Sequence, residues 1–332
     1  TAPTAPLAKP KPLTAPAQRH PPPSETIDPA DVELAAIGLA ESETREAINT
    51  ARQEFETAAA ALGAAQELLE QDPLPPGAKR PTQQEIEKLR AGLTAKHQRV
   101  IELYRAQVAQ YDSYIAKNPH RWLPRHKLAW FCADMGDELA AAELWRQVIA
   151  LNAAFPYAYN NLATLYNHLG RDMESVDLYL KAIELENTDP EFHFNLANVL
   201  STHRGEVAAK FNWDLPRVFR ESLKYYHNAR SLDPQNYEYA QSAASHYILA
   251  EHFQVTNWAD DALADWKYCL DLNLTPQQRS YCLTNMARIH LREKNDVATA
   301  RKLLLDAQKA LDTPAVQTLL KECDRRARDQ AI

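Results

Sequence analysis

Residues 159–190 read YNNLATLYNHLGRDMESVDLYLKAIELENTDP, and this stretch decides the fold. Tyr159, Leu162, Ala163 and Tyr166 recur at i, i+3, i+4 and i+7, which puts apolar side chains on one helical face. Ser175, Val176, Tyr179, Ala182 and Ile183 make a second amphipathic run. Gly170 lies between the two, where a left-handed residue closes a helix at least steric cost. Helices this short cannot bury their apolar stripes alone, so each needs neighbours of its own kind.

The chain supplies those neighbours. Leu128-Ala129 and Cys132 precede Ala141, Trp145 and Val148, in a pair that begins near Trp122. Leu196-Ala197 and Leu200 precede Ser222, Tyr226 and Ala229. Ala243-Ala244 and Tyr247 precede Ala262, Trp266 and Cys269. A weaker fifth copy has Met286-Ala287, His290, Ala300, Leu304 and Ala307. Leu162 and Ser175 are 13 residues apart, whereas Leu196 and Ser222 are 26 apart. About 13 extra residues, including GEVAAKFNWDLP, therefore separate the helices of the third pair, and about six around Phe253 enlarge the fourth turn. A final helix from about Pro314 to Arg328 ends in the charged run KECDRRARD, as suits a solvated cap.

The spacing of Tyr159, Leu162, Ala163, Tyr166, Ser175, Tyr179 and Ala182 resembles the tetratricopeptide repeat, with Asn187 where that family usually has Pro. The resemblance covers about residues 120–330. It implies an all-α, right-handed superhelix whose first helices line a concave groove that takes a protein or an extended peptide. Carried onto this chain, the implied groove residues are Lys127 and Trp130, then Tyr157, Asn160, Asn161, Thr164 and His168. Asn195, Asn198, Ser242, Asn285, Arg288 and Arg292 follow in the later pairs. Lys127, Asn161, Asn195, Ser242 and Asn285 share one repeat position. Because an amide both donates and accepts, the Asn residues resemble a ladder that reads a peptide backbone, interrupted at Ser242. The family's clamp for a C-terminal carboxylate is not matched, since His168 and Thr202 stand where it needs cations. Phe211 and Trp213 in the insertion are either partner anchors or covers for a helix end.

Composition bounds the function. The net charge is −7 and no basic stripe occurs, which speaks against nucleic acid. No run of 18 apolar residues is present to span a membrane. The seven glycines never come closer than 14 residues, which excludes a Walker loop and a GxGxxG turn. No HExxH, His/Cys metal spacing or GxSxG elbow occurs, so no cofactor or catalytic residue is expected. Cys132, Cys269, Cys282 and Cys323 read as buried thiols; a Cys269–Cys282 disulfide stays open, because the two fall on consecutive helices.

Upstream of the repeats, residues 1–29 hold nine of the 21 prolines and read as an extended tether, a spacer or a ligand for a proline-recognising domain. The chain starts at Thr1, an expectation of a removed export signal, a deleted anchor or a trimmed clone, and the exported side is favoured over the cytoplasm. Residues 30–117 form two long helices, the first capped by Asp28 or Asp31. Ile48, Phe55, Leu62 and Leu69 recur every seven residues and Ala51, Ala58 and Ala65 follow three later, a seam for close helix packing. The pair closes as a hairpin within the chain or pairs with a second copy. Residues 118–332 are the repeat array. The expected function is a non-catalytic interaction scaffold; the alternative is a structural subunit held permanently in a larger complex.

Overall fold

The computed structural model describes residues 29–329 apart from Pro73, with the side chains of residues 29–31 also outside it. The tether and the choice between Asp28 and Asp31 as cap therefore lie outside the described residues. Fourteen α-helices and one 3-10 helix, with no strand, make up the described chain, so the fold is an all-α helical repeat. The described residues fall into two compact units, 29–153 and 154–329.

In the first unit, α1 (Pro29–Glu70) and α2 (Gln83–Lys117) are joined by the proline-rich turn and lie antiparallel. Lys117 Nζ meets Glu33, Thr44 Oγ1 meets Gln107 and Lys96 Nζ meets Glu54, so one number falls as the other rises. Buried Ile48, Ala51, Ile86 and Tyr111 lie on these two helices, which pack against each other. Thr82 and Glu85 form a reciprocal capping box that starts α2 at Gln83.

The pair α3 (Leu123–Asp134) and α4 (Glu138–Leu151) belongs to the same unit as the hairpin. Phe131 stacks on Tyr104 of α2, and the Tyr104 hydroxyl donates to Asp137 Oδ2 at 2.7 Å. Arg45 of α1 pairs with Asp134, and Arg52 donates to the Met135 carbonyl.

In the second unit, α5 (Pro156–His168) packs on α6 (Asp172–Leu185) and α7 (Pro190–Thr202) packs on α9 (Leu215–Leu232). Next come α10 (Tyr237–His246) on α11 (Ala259–Leu270), α12 (Pro276–Arg292) on α13 (Val297–Ala310), and α14 (Pro314–Asp329). The repeat positions are the core: Leu162, Ala163, Tyr179, Leu196, Ala197, Ala229, Ala244, Trp266, Ala300 and Leu304 are all buried. At α14, Val316, Leu319 and Cys323 pack against the apolar core of α12 and α13, and Arg326 in its last turn donates to the Leu291 carbonyl at 2.9 Å.

Five chain reversals across the two units use one device. Gly136, Gly170, Asn212, Gln254 and Asn295 all have φ between 49° and 86°. The next amide reaches back five residues, as Arg171 N does to the Tyr166 carbonyl at 2.7 Å, or six at Asp296, which bonds the His290 carbonyl. Gly170 is thus the left-handed stop that its position predicts. The 13 extra residues of the third pair are not a loop. They hold a short helix, α8 (Arg204–Phe211), which Glu206 and Lys210 at i, i+4 favour. The enlarged fourth turn is likewise a 3-10 helix, Tyr247–Phe253.

Candidate functional site

The Asn residues do not stand as a free ladder. Asn195 Nδ2 donates to Asn160 Oδ1 at 3.1 Å, which ties α7 to α5, and Asn160 is buried. The Thr164 hydroxyl turns inward, 2.9 Å from the Tyr179 hydroxyl, and Asn198 Oδ1 accepts from Tyr226 at 2.7 Å. These side chains are occupied within the fold, because helix packing brings each against a polar neighbour that spacing alone does not reveal. Asn161 differs: its Nδ2 is buried with no hydrogen-bond partner. Ser242 is half-buried and His168 exposed. Tyr157 is 40% exposed, with its edge against Phe192.

In the first unit, Lys127 is exposed, with its ammonium beside Gly38 of α1. Trp130 is 45% exposed and meets Trp145 edge to face at 5.8 Å. In the insertion, Phe211 and Trp213 stack on one another at 4.6 Å, and the Arg217 guanidinium lies 4.7 Å from the Trp213 ring. The pair is half-buried by its own contacts.

What the fold does bring together is the end of the predicted set. Asn285, Arg288 and Arg292 of α12 line a cleft of about 460 Å³ with Tyr247, Ile248 and Trp258 from the fourth pair. Trp258 lies at 6.3 Å from Tyr247 and nearly parallel to it, which makes a flat aromatic wall. Ile248 is 59% exposed. Asn285 is fixed by donating to the Tyr281 carbonyl at 3.0 Å while its Oδ1 accepts from Arg288 Nη1 at 2.9 Å. Among the described residues neither Arg288 nor Arg292 has an ion pair, so the cleft offers two cations, four residues apart on one face, beside apolar and aromatic surface. Glu251 and Glu293 also border it. Neither Trp258 nor Ile248 carries a binding signal in the sequence; the extra residues in the fourth turn are the available clue, since they bring both beside α12.

A second polar cluster lies apart from the cleft. Asp172, His203 and Glu206 have ligand-type atoms within 4.8 Å of one another. Their sequence separation hides them from any spacing rule.

Residues 178–210 match the family model of the tetratricopeptide repeat, a span that runs from within α6 through α7 into α8. The chain carries tetratricopeptide repeats. No curated protein matches it. Among solved structures it is similar to YrrB, described as a TPR protein with an unusual peptide-binding site, at 17% identity. That match covers 64% of this chain and 97% of YrrB, with a TM-score of 0.49. PilF of Pseudomonas aeruginosa is similar at 15% identity over 66% of this chain and 90% of its own, with a TM-score of 0.44. MamA of Desulfovibrio magneticus is 12% identical over 53% of this chain and 89% of its own, with a TM-score of 0.40.

Proposed function

We propose that the chain is a non-catalytic interaction scaffold that holds an extended segment of a partner protein, with the α10–α12 cleft as the principal contact. The observation that carries this reading is the meeting of Arg288 and Arg292 with the Tyr247–Trp258 wall and exposed Ile248. Arginine and aromatic side chains dominate binding hot spots, and a partly desolvated guanidinium rewards a carboxylate more than a fully hydrated one. The occupant is therefore a segment with an acidic residue next to an apolar one. The unpartnered Nδ2 of Asn161, whose Oδ1 accepts from Asn160 at 3.4 Å, supports a further backbone contact on α5.

A peptide library selected on the full chain tests this. Enriched peptides should carry Asp or Glu beside an aromatic or aliphatic residue. An Arg288→Ala/Arg292→Ala double variant with unchanged helical content should lose the enrichment. Enrichment that survives in the double variant moves the contact elsewhere on the molecule.

A further inference from the structure

Helix α8 interrupts the regular repeat and is lightly held. Val207 is its one buried residue, and Lys210 Nζ reaches Asp177 of α6 at 2.8 Å. At its start the chain makes a denser polar contact. His203, the residue between α7 and α8, puts Nδ1 at 3.3 Å from Asp172 Oδ2 and 3.1 Å from Glu206 Oε2. Asp172 opens α6 and Glu206 stands in the first turn of α8, so three elements converge on one point.

An imidazole nitrogen has one hydrogen to give, and here two carboxylates face it. The second Asp172 oxygen, Oδ1, is buried and has no hydrogen-bond partner. The cluster thus has more acceptor capacity than its own donors fill, which is the usual condition of a cation site. Its spacing also fits. Bonds of roughly 2.0–2.1 Å in a tetrahedron put ligand atoms about 3.4 Å apart, close to both distances measured from Nδ1. One imidazole with two carboxylates suits Zn²⁺, whereas Mg²⁺ and Ca²⁺ prefer a larger shell made of oxygen alone.

We propose that Asp172, His203 and Glu206 form a zinc-class divalent-cation site that clamps the inserted helix α8 onto the start of α6. His203 ligates through Nδ1, each carboxylate supplies one oxygen, and water completes the shell. The clamp fixes the direction in which α8 presents the Phe211–Trp213 stack at its far end. The site is separate from the α10–α12 cleft and does not depend on the role assigned to that cleft.

Zinc chloride titrated into the chelator-stripped full chain, by calorimetry with metal analysis, tests the site. One zinc per chain is expected. His203→Ala should weaken that binding by more than about 100-fold, beyond the 10–100-fold typical of losing an outer-shell partner. Glu206→Gln, on an exposed side chain that folding does not need, should weaken it by about tenfold or more. Asp177→Asn removes the neighbouring ion pair but no ligand, and should leave the affinity within about twofold. Absence of saturable binding overturns the site, as does wild-type affinity in both ligand variants. If His203→Ala loses helical content, Glu206→Gln decides alone.

Discussion

Ser222 Oγ lies 2.8 Å from His246 Nε2, and Ser201 Oγ lies 3.2 Å from Nδ1 of the same ring, so α9 and α7 each bind one nitrogen of a buried imidazole on α10. The Ser222 hydroxyl also reaches the Val218 and Phe219 carbonyls, which take its hydrogen. Ser222 is then the acceptor for Nε2–H, and Nδ1 accepts from Ser201. Phe219 covers the ring at 4.4 Å, nearly parallel. The neutral imidazole is fully satisfied in this setting.

Burial pulls the His246 pKa down to about 4. The unfolded chain binds a proton near pH 6.5 that the folded chain refuses, so stability rises with pH between the two values. The contribution is complete above about pH 6.5 and is lost as pH falls toward 4, on the order of 3 kcal/mol in all. Urea midpoints measured from pH 7.5 to 4 should show this slope, and His246→Gln should reduce it by about one proton. An unchanged slope in the variant would assign the effect to His126 or His193, which burial also shifts downward.

Two glycines should respond in opposite directions to alanine. Gly170 has φ of +71°, and Gly170→Ala should cost about 1–2 kcal/mol by forcing a Cβ into the left-handed region. Gly205 is helical within α8, with nothing within 4 Å of an added Cβ. Gly205→Ala should therefore stabilise by about 0.4–1 kcal/mol through the unfolded chain. Thermal unfolding of both variants checks the pair of signs.

Asn195→Ala removes the donor to the buried Asn160 carbonyl oxygen and should cost about 1–3 kcal/mol. Asn161→Ala should cost less, because the Asn161 Nδ2 has no partner to lose and its Oδ1 accepts only a long bond, 3.4 Å, from Asn160. Denaturant curves of the two variants separate a structural amide from one available to a ligand. Equal costs would mean that both amides serve the fold.

All four cysteines are buried and free. Cys282 hydrogen-bonds Cys269 and lies 3.7 Å from the Tyr237 hydroxyl; the bond to Cys269 above all holds the Cys282 thiol below its ordinary value, and the same bond with burial raises that of Cys269. In the reduced native protein a thiol reagent should modify none of the four within the time that labels all four after unfolding. Two reactive thiols after unfolding without reductant would show that Cys269 and Cys282 had joined.

The sequence by itself determined the helix pairs, their order and their core. Leu162, Ala163, Tyr179 and Ala182 repeat at spacings that have no other use than one-sided burial, and Gly170 must stop a helix where it stands. Local propensity and periodicity act over a few residues, so one chain is enough to read them. Tertiary structure alone decided which polar groups meet. Asn160 and Asn195 are 35 residues apart yet satisfy one another, and His246 is held by serines from two other helices. Asp172 joins His203 and Glu206, and Trp258 comes to face Arg288, because packing angles and an inserted helix carry them there. A periodic pattern fixes which face of a helix is buried. The neighbour it is buried against depends on three-dimensional packing, and that packing ties Asn195 to Asn160 and sets Arg288 and Arg292 beside Trp258.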